Sequence, residues 1–182
     1  MTSPEEEIRP DAEPSPDVQA EKSEPNVSIE PIKEEDLETV ASIFADAFNQ
    51  ASGSENWTKD SALEYTKYCH ERRPDLFFVA KIDNKAVGGI VGEIMPLWDG
   101  PSLVDIDIFV EESARRGGKG VAKTLLTTLL TTSSEKYGAK NLRFVADGTK
   151  KHPMGWYKRI GCSETGWVHM TGNIQDTLEK LK

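Results

Sequence analysis

Hydrophobic residues recur along the chain at two different spacings, which divide it into strands and helices. Alternation over residues 27–32 predicts a first strand. Residues 33–36, three of them acidic, then open a helix, because apolar residues follow at helical spacing as far as Phe48. A second helix is predicted over residues 58–71, with Thr58 as its N-cap.

The rest of the chain continues with strands, turns and shorter helices. Apolar runs at 76–81 and 86–95 flank a polar turn at 83–85, which predicts a hairpin. The remaining predicted elements are strands over 103–110, 141–146 and 165–170, a leucine-rich helix from Gly120, a short helix over 152–159 and a weak helix at the C-terminal end. Because helices join the later strands, this order indicates an α/β fold whose mixed sheet contains parallel pairs.

The first 26 residues differ in composition from the rest of the 182-residue chain. They contain five prolines and no aromatic residue, and their eight acidic and two basic residues account for most of the net charge of −9. This composition predicts a disordered, acidic, proline-rich tail over residues 1–26. Residues 27–182 are enough for one domain of ordinary size.

Composition also argues against several classes of protein. A nucleic-acid binder usually presents a basic face, whereas this chain is acidic. The sequence lacks an apolar run long enough to span a membrane and the pattern of a signal peptide. Its two cysteines, Cys69 and Cys162, have no C-x-x-C spacing and its three histidines are scattered, which argues against a disulfide or metal framework. We therefore expect a reduced, cytoplasmic protein that binds neither metal, nucleic acid nor membrane.

A basic, glycine-rich loop carries the strongest chemical signal. It lies between the strand predicted over 103–110 and the leucine-rich helix, and it reads Arg115-Arg116-Gly117-Gly118-Lys119-Gly120. Glycines let backbone N–H groups converge on one point, and a helix N-terminus adds partial positive charge. This arrangement favours the binding of a polyphosphate.

The loop and a later segment, Trp156-Tyr157-Lys158-Arg159-Ile160-Gly161-Cys162, together resemble the GNAT superfamily of acyl-CoA-dependent N-acyltransferases. In that family a loop of the form Q/R-x-x-G-x-G/A binds the pyrophosphate of coenzyme A. Two registers are open. In the one we prefer, Gly120-Val121-Ala122 matches G-x-A and Gly117 occupies the Q/R position, with Arg115 or Arg116 supplying the charge. In the other, Arg115, Gly118 and Gly120 match, but the leucine spacing of the helix is lost.

The resemblance implies a fold and a cofactor site. It implies a mixed, mostly antiparallel sheet, flanked by helices, whose parallel fourth and fifth strands splay apart to admit acetyl-CoA as co-substrate. Backbone amides at the end of the fourth strand, at Phe109 and Val110, would bind the pantetheine arm. The implied pyrophosphate site consists of Arg115, Arg116, Gly117, Gly118, Lys119, Gly120, Val121 and Ala122. Residues 27–182 would form this N-acetyltransferase domain. Many family members carry a cofactor-binding Asn after the fifth strand, which is missing here, so Lys150, Lys151 or His152 is expected to meet the 3′-phosphate instead. The alternative for His152 is a surface or cap residue.

Acetyl transfer to an amine calls for a base and an acid. An amine with a pKa of about 10.4 is almost entirely protonated at neutral pH, so a base assists its attack. The resemblance makes Tyr157 the candidate acid toward the departing thiolate, and the alternative is a core aromatic residue. Asp105 and Asp107 are the candidate bases: two positions apart, they are expected to share one strand face with Leu103 and Phe109. The alternative for both is a solvated polar face.

Two further groups complete the candidates. Glu93, on the neighbouring strand, is a third candidate base. The aromatic residues in segments expected on the acceptor side are Trp57, Tyr65, Tyr68 and Trp98.

The sequence therefore predicts an N-acetyltransferase that moves an acetyl group from acetyl-CoA to a primary amine by direct attack in a ternary complex. The acceptor is a small cationic amine or a protein amine, and a homodimer is left open. The alternative function is a non-catalytic module with this fold that binds coenzyme A or a partner.

Overall fold

A computed structural model describes residues 27–51, 55–116 and 120–182. Within these ranges the chain forms one sheet of five strands, with helices on both of its faces. The strands are β1 (Val27–Pro31), β2 (Phe77–Ile82), β3 (Lys85–Leu97), β4 (Gly100–Val110) and β5 (Asn141–Arg143). The α-helices are α1 (Leu37–Ala51), α2 (Lys59–Arg72), α3 (Glu112–Arg116), α4 (Val121–Tyr137), α5 (Lys151–Arg159) and α6 (Ile174–Lys180). No helix in these ranges is long and apolar enough to cross a membrane.

The sheet has the strand order β1-β2-β3-β4-β5. Neighbouring strands are antiparallel from β1 to β4, and β4 pairs with β5 in parallel. This confirms the predicted mixed, mostly antiparallel sheet with a parallel pair between the fourth and fifth strands. The predicted hairpin is also present: Asp83 and Asn84 form its turn with positive φ, as a two-residue hairpin turn requires.

The core is divided between the two faces of the sheet. On one face, α1 and α2 pack through residues such as Phe44, which is 1 % exposed. On the other face, α4 packs through Leu125 and Leu129, with Trp156 of α5 against the same cluster. Thr58 caps α2, because its hydroxyl accepts a hydrogen bond from the Ser61 amide at 3.1 Å, as predicted.

A β-bulge interrupts β4 and corrects one prediction. Val91 pairs with Asp107 and Glu93 pairs with Val104, so one residue of β3 faces two of β4. Asp105 takes a left-handed conformation there, with φ of 48°. The extra residue reverses the alternation of faces. Leu103 therefore packs on the α4 face, whereas Phe109 packs on the α1 face.

The bulge also separates the two aspartates. The prediction that Asp105 and Asp107 share one face with Leu103 and Phe109 is wrong, because it assumed an unbroken period of two. Asp105 lies in the bulge and is exposed. Asp107, two residues before Phe109, lies on the α1 and α2 face, where it meets α2.

The strand β5 is shorter than the predicted 141–146 and leaves a gap beside β4. It pairs with β4 only from Ser102 to Val104, whereas β4 continues to Val110. Phe144 leaves the strand direction and packs on Tyr157, with ring centroids 4.6 Å apart. We call this gap, beside residues 105–110 of β4 and beyond the end of β5, the notch.

The predicted strand over 165–170 is also wrong. These residues join no strand of the sheet, and like all residues from 163 to 182 they are exposed. A three-residue edge strand offers an added strand few partners, and Gly166 takes a positive φ of 79° that breaks the extended run. The predicted C-terminal helix is present as α6.

Candidate active site

The notch has an apolar lining on the α4 side of the sheet. Its walls come from both strands, from α4 and from the segment around α5, and they include Ile106, Ile108, Leu126, Leu142, Phe144 and Trp156. The bulge places Ile106 and Ile108 on this side. A narrow apolar cleft between two splayed strands suits an extended chain better than a compact polar ligand.

Tyr157 stands at the edge of this lining. Its ring packs against Phe144 and, at 5.2 Å between centroids, against Trp156. Burial raises its pKa, and the nearby Cys162 and Asp107 raise it further. The phenol therefore stays protonated at neutral pH and can donate a proton but not accept one.

Asp107 lies on the other side of the strand, largely buried. Its carboxylate accepts a hydrogen bond from the Tyr65 hydroxyl at 2.5 Å. Burial raises the pKa of Asp107, the Tyr65 hydrogen bond lowers it, and the charges of Glu55 and Asp105 raise it again. The net result is a raised pKa, which makes Asp107 a better proton acceptor than an ordinary aspartate.

The other two candidate bases have different surroundings. Asp105 is exposed in the bulge, so water shields its charge. Glu93 accepts hydrogen bonds from Arg73 at 2.7 Å and from Arg72 at 3.2 Å. Burial alone would raise the pKa of Glu93, but the two arginines hold it below its usual value. Glu93 is thereby occupied in joining α2 to β3.

The helix α4 begins beside the end of β4. Gly120 is its N-cap, with φ of 67°, and its carbonyl accepts from the Thr124 amide at 2.9 Å. The first turn reads Val121-Ala122-Lys123. Its unpaired backbone N–H groups carry partial positive charge, and its one charged side chain, Lys123, is also positive. This helix start has the form of an anion site.

Of the basic residues before this helix, the structure describes Arg115 and Arg116. Arg115 and Arg116 belong to the short helix α3 rather than to a loop. Arg115 donates to the Gln50 side chain at 3.3 Å, and Arg116 forms an ion pair with Glu112. Such surface contacts are weak, so both guanidinium groups remain open to another anion. The predicted site residues Gly117, Gly118 and Lys119 lie outside the described residues.

The end of β4 turns one backbone edge toward the notch. Phe109 and Val110 pair with Gly89 and Gly88 of β3. The Glu111 amide donates to the Val87 carbonyl of the same strand at 2.8 Å. Since consecutive strand amides point to opposite edges, the Val110 amide points into the notch.

The two cysteines are poor nucleophiles here. Burial raises the pKa of the Cys162 thiol. Burial also dominates at Cys69 and raises the pKa of that thiol to about 11. Neither thiol is therefore ionised near neutral pH. In the described residues no cluster of His, Cys, Asp and Glu has a metal-binding arrangement.

The chain is similar to a known protein family in sequence and to solved structures in fold. The model of the acetyltransferase (GNAT) family matches residues 37–161, which is more than half of the chain. The chain belongs to the acetyltransferase (GNAT) family. No curated protein sequence matches it.

Solved structures show the same GNAT fold. Aminoglycoside N-acetyltransferase AAC(6')-Iy, in complex with CoA, is 18 % identical with a TM-score of 0.68, over 84 % of this chain and 98 % of that one. Ribosomal-protein-alanine N-acetyltransferase from Brucella melitensis biovar Abortus 2308 is 20 % identical with a TM-score of 0.62, over 81 % of this chain and 99 % of that one. An aminoglycoside acetyltransferase from an uncultured soil metagenomic sample is 21 % identical with a TM-score of 0.60, over 81 % and 96 %. At these identities the likeness establishes the fold.

The GNAT site contains residues that the motifs did not single out. Tyr65 was predicted only as one of four aromatic residues on the acceptor side, but it is the side chain bonded to Asp107. The sequence pattern that could have identified Tyr65 is its helical spacing from Ala62 and Cys69, which are buried. This spacing places Tyr65 on the face of α2 that packs on the sheet. Tyr68 and Trp98 are instead 54 % and 91 % exposed.

Lys150 and its neighbours lie at the start of α5. Lys150 is 3.8 Å from the Asp147 carboxylate, and the Thr149 amide donates to the same carboxylate at 2.9 Å. These contacts order the turn that leads into α5. Their assignment to the 3′-phosphate stays a prediction.

Proposed function

We propose that this protein is an acetyl-CoA-dependent N-acetyltransferase that acetylates a primary amine by direct attack in a ternary complex. One observation carries the proposal. The sheet opens at the notch, and a protonated phenol (Tyr157) and a largely buried carboxylate of raised pKa (Asp107) flank β4 where it opens. An acid and a base close to one opening are what amine acetylation requires.

The residues present fit acetyl-CoA. The apolar lining of the notch suits the pantetheine arm, with the Val110 amide available on the β4 edge. The start of α4 suits the pyrophosphate, because Gly120 exposes the first-turn amides and Lys123 adds charge. Arg115 and Arg116 lie just before this point in the chain. AAC(6')-Iy, a structural neighbour, has been solved in complex with CoA and with a CoA-containing bisubstrate analogue, which supports CoA as the group to be bound.

The chemistry follows from the two protonation states. The ammonium group of the acceptor loses a proton to Asp107, and the neutral amine attacks the acetyl carbonyl carbon. A C–N bond forms and the C–S bond breaks, while Tyr157 donates a proton to the departing sulfur. The second proton of the nitrogen leaves through water and restores Tyr157. The products are an amide, a free thiol and one proton, and no cysteine needs to carry the acetyl group.

The α1 and α2 side of the sheet suits a cationic acceptor. Asp107 lies there beside Glu55, whose carboxylate accepts a hydrogen bond from the Trp57 indole at 2.7 Å. Trp57 and Tyr65 belong to one aromatic cluster, with ring centroids 5.5 Å apart. Carboxylates beside aromatic faces attract ammonium groups. A small cationic amine and a protein amine both meet this requirement, in keeping with the aminoglycoside and ribosomal-protein enzymes among the structural neighbours.

Calorimetric titration with acetyl-CoA and an amine panel test the proposal together. We expect the full chain to bind acetyl-CoA and to release free thiol with at least one amine. The variant Lys123→Glu should weaken binding about tenfold or more, since it places a carboxylate in the first turn of α4. Glutamate is favourable for the helix at this position, so folding should be unaffected.

A matched control is available one turn along the same helix. Thr127 is exposed like Lys123, and Thr127→Glu adds a negative charge away from the helix start. It should bind acetyl-CoA with unchanged affinity. Binding without turnover of any amine would favour the non-catalytic module, and the absence of binding by the unaltered chain would reject the transferase.

A further inference from the structure

A single hydrogen bond links the second helix to the candidate base. The Tyr65 hydroxyl crosses from α2 to β4 and donates to the Asp107 carboxylate. The Tyr65 ring packs against two aromatic rings that also contact each other, at 5.2 Å from the ring of Phe44 and 5.5 Å from that of Trp57. This packing restricts the Tyr65 side chain, so its hydroxyl group is held in place beside Asp107.

The Tyr65 hydroxyl keeps its proton near neutral pH and so remains a hydrogen-bond donor. Burial raises the pKa of Tyr65 far above its ordinary value, and the charge and hydrogen bond of Asp107 add to the rise. Cys69, one turn further along α2, raises it as well. Tyr65 consequently keeps its proton and offers Asp107 a permanent donor.

Other groups act on Asp107 from every neighbouring element. Glu55, which precedes α2, and Asp105 of β4 place negative charge near it. Tyr157, from the α5 side, is a neutral phenol whose pKa is raised in part by the charge of Asp107. Each acidic neighbour, like burial itself, favours the protonated and inactive form of Asp107. The hydrogen bond from Tyr65 is the contact that opposes them.

We propose that Tyr65 is a positioning residue, which orients the Asp107 carboxylate and keeps it ionised for proton abstraction. The role in proton abstraction rests on the proposed function, whereas the control of ionisation does not. Tyr65 touches Asp107 and not the reacting atoms, so it acts through its neighbour.

The first test follows the ionisation of Asp107 without any substrate. In the full chain labelled with ¹³C-aspartate, the Asp107 carboxyl signal is assigned by its loss in Asp107→Asn and is titrated with pH. In Tyr65→Phe the midpoint should rise by about one pH unit or more, because a hydrogen bond to a charged group is lost while the ring remains. An unchanged midpoint would overturn the proposal.

A matched control removes the same kind of bond elsewhere. The Tyr137 hydroxyl donates to the Asp75 carboxylate, which joins α4 to the turn before β2. Tyr137→Phe should lower stability to a similar degree and leave the Asp107 midpoint in place. A shift of equal size in both variants would show a general effect of destabilisation and would also reject the proposal.

Kinetics supply the second readout. The acid limb of kcat/KM against pH should move to higher pH in Tyr65→Phe by the same amount as the NMR midpoint, with acetyl-CoA affinity unchanged. In an Asp107→Asn background, Tyr65→Phe should cause no further loss of kcat. A full additional loss there would contradict action through Asp107. If no amine is turned over, the proposed function fails, and the NMR titration still decides whether Tyr65 controls Asp107.

Discussion

Three carboxylates lie close to the middle of β3 and β4, and their surroundings give them different chemistry. Glu93 is bound by two arginines, Asp105 is exposed in a bulge, and Asp107 is largely buried with one hydroxyl donor. Burial without a cationic partner raises the pKa of a carboxylate, whereas arginine pairing lowers it. Asp107 therefore combines limited solvation with a proton affinity suited to a base.

At the residue scale, we expect Asp107→Asn to lower kcat about 10²- to 10⁴-fold with little change in acetyl-CoA affinity. The active form of Asp107 is the carboxylate, so activity should fall as pH decreases through its pKa. Because that pKa is raised, the acid limb should lie above the ordinary aspartate value of about 3.9, and it should disappear in Asp107→Asn. Initial rates of thiol release between pH 4 and pH 9, roughly the working range of such assays, measure both effects.

Asp105→Asn provides the control for this prediction. Asparagine tolerates the left-handed conformation of residue 105, so the bulge should persist without the charge. We expect only a small change in kcat. A loss as large as that of Asp107→Asn would instead assign the base to Asp105.

How far the sequence could predict these residues depended on where each one lies. Tyr157 belongs to a short motif on one helix, so local sequence was enough to select it. To assign the two aspartates, one must know which face of the strand each side chain occupies. The bulge at Asp105 reverses the alternation of faces, and nothing in the hydrophobic pattern marks it. The Tyr65–Asp107 bond joins residues 42 positions apart, which no local pattern can pair.

At the scale of elements, the ends of strands and helices build the site. The notch exists because β5 ends at Arg143 while β4 continues, and the proposed anion site lies where α4 begins after its N-cap Gly120. The order and type of most elements followed from hydrophobic periodicity. The end of β5 did not, since Phe144 and Val145 favour a strand, whereas in the structure β5 ends at Arg143 and Phe144 packs on Tyr157.

Two glycines of α4 allow the anion site to be tested against stability. Gly120 and Gly138 cap opposite ends of this helix with φ of 67° and 66°, and a Cβ at either would have no atom of the other described residues within 4 Å. Alanine at each should therefore cost about 1 kcal/mol through backbone strain alone. Thermal unfolding should show similar decreases of about 2–4 °C for the two variants.

Only one of these variants should affect the cofactor. Gly120→Ala changes the backbone from which the first-turn amides of α4 project, so acetyl-CoA should bind more weakly in calorimetric titration. Gly138→Ala, at the far end, should bind it as the unaltered chain does. Equal affinities in both variants would place the pyrophosphate elsewhere.

At the scale of the whole molecule, the sheet separates two functions. Helix α4 and the apolar lining of the notch occupy one face, where acetyl-CoA is proposed to bind. Helices α1 and α2, with the aromatic cluster and Asp107, occupy the other face. The bulge in β4 determines which side chains reach each face, so that Ile106 and Ile108 line the notch while Asp107 meets α2. This arrangement supports the proposed ternary complex, because the two substrates could approach from opposite sides.

The C-terminal segment lies outside this arrangement. Residues 163–182 are all exposed, and α6 presents Ile174, Leu178 and Leu181 at 74 %, 50 % and 78 % exposure. Deletion of residues 173–182 should therefore shift the unfolding temperature by less than about 2 °C, as expected for surface changes. Acetyl-CoA affinity should also remain unchanged. Leu129→Ala, at a fully buried leucine of α4, should by contrast cost about 2–5 kcal/mol.

Light scattering of the two chains completes this prediction. If α6 is exposed in solution, the full chain and the shortened chain should have the same number of subunits at every concentration tested. A large loss of thermal stability together with the loss of a dimer would contradict this expectation. It would assign the exposed leucines and Ile174 to an interface between two copies, since burial of apolar side chains is what would then be lost. A large loss of stability without any change of subunit number would instead place α6 against its own domain.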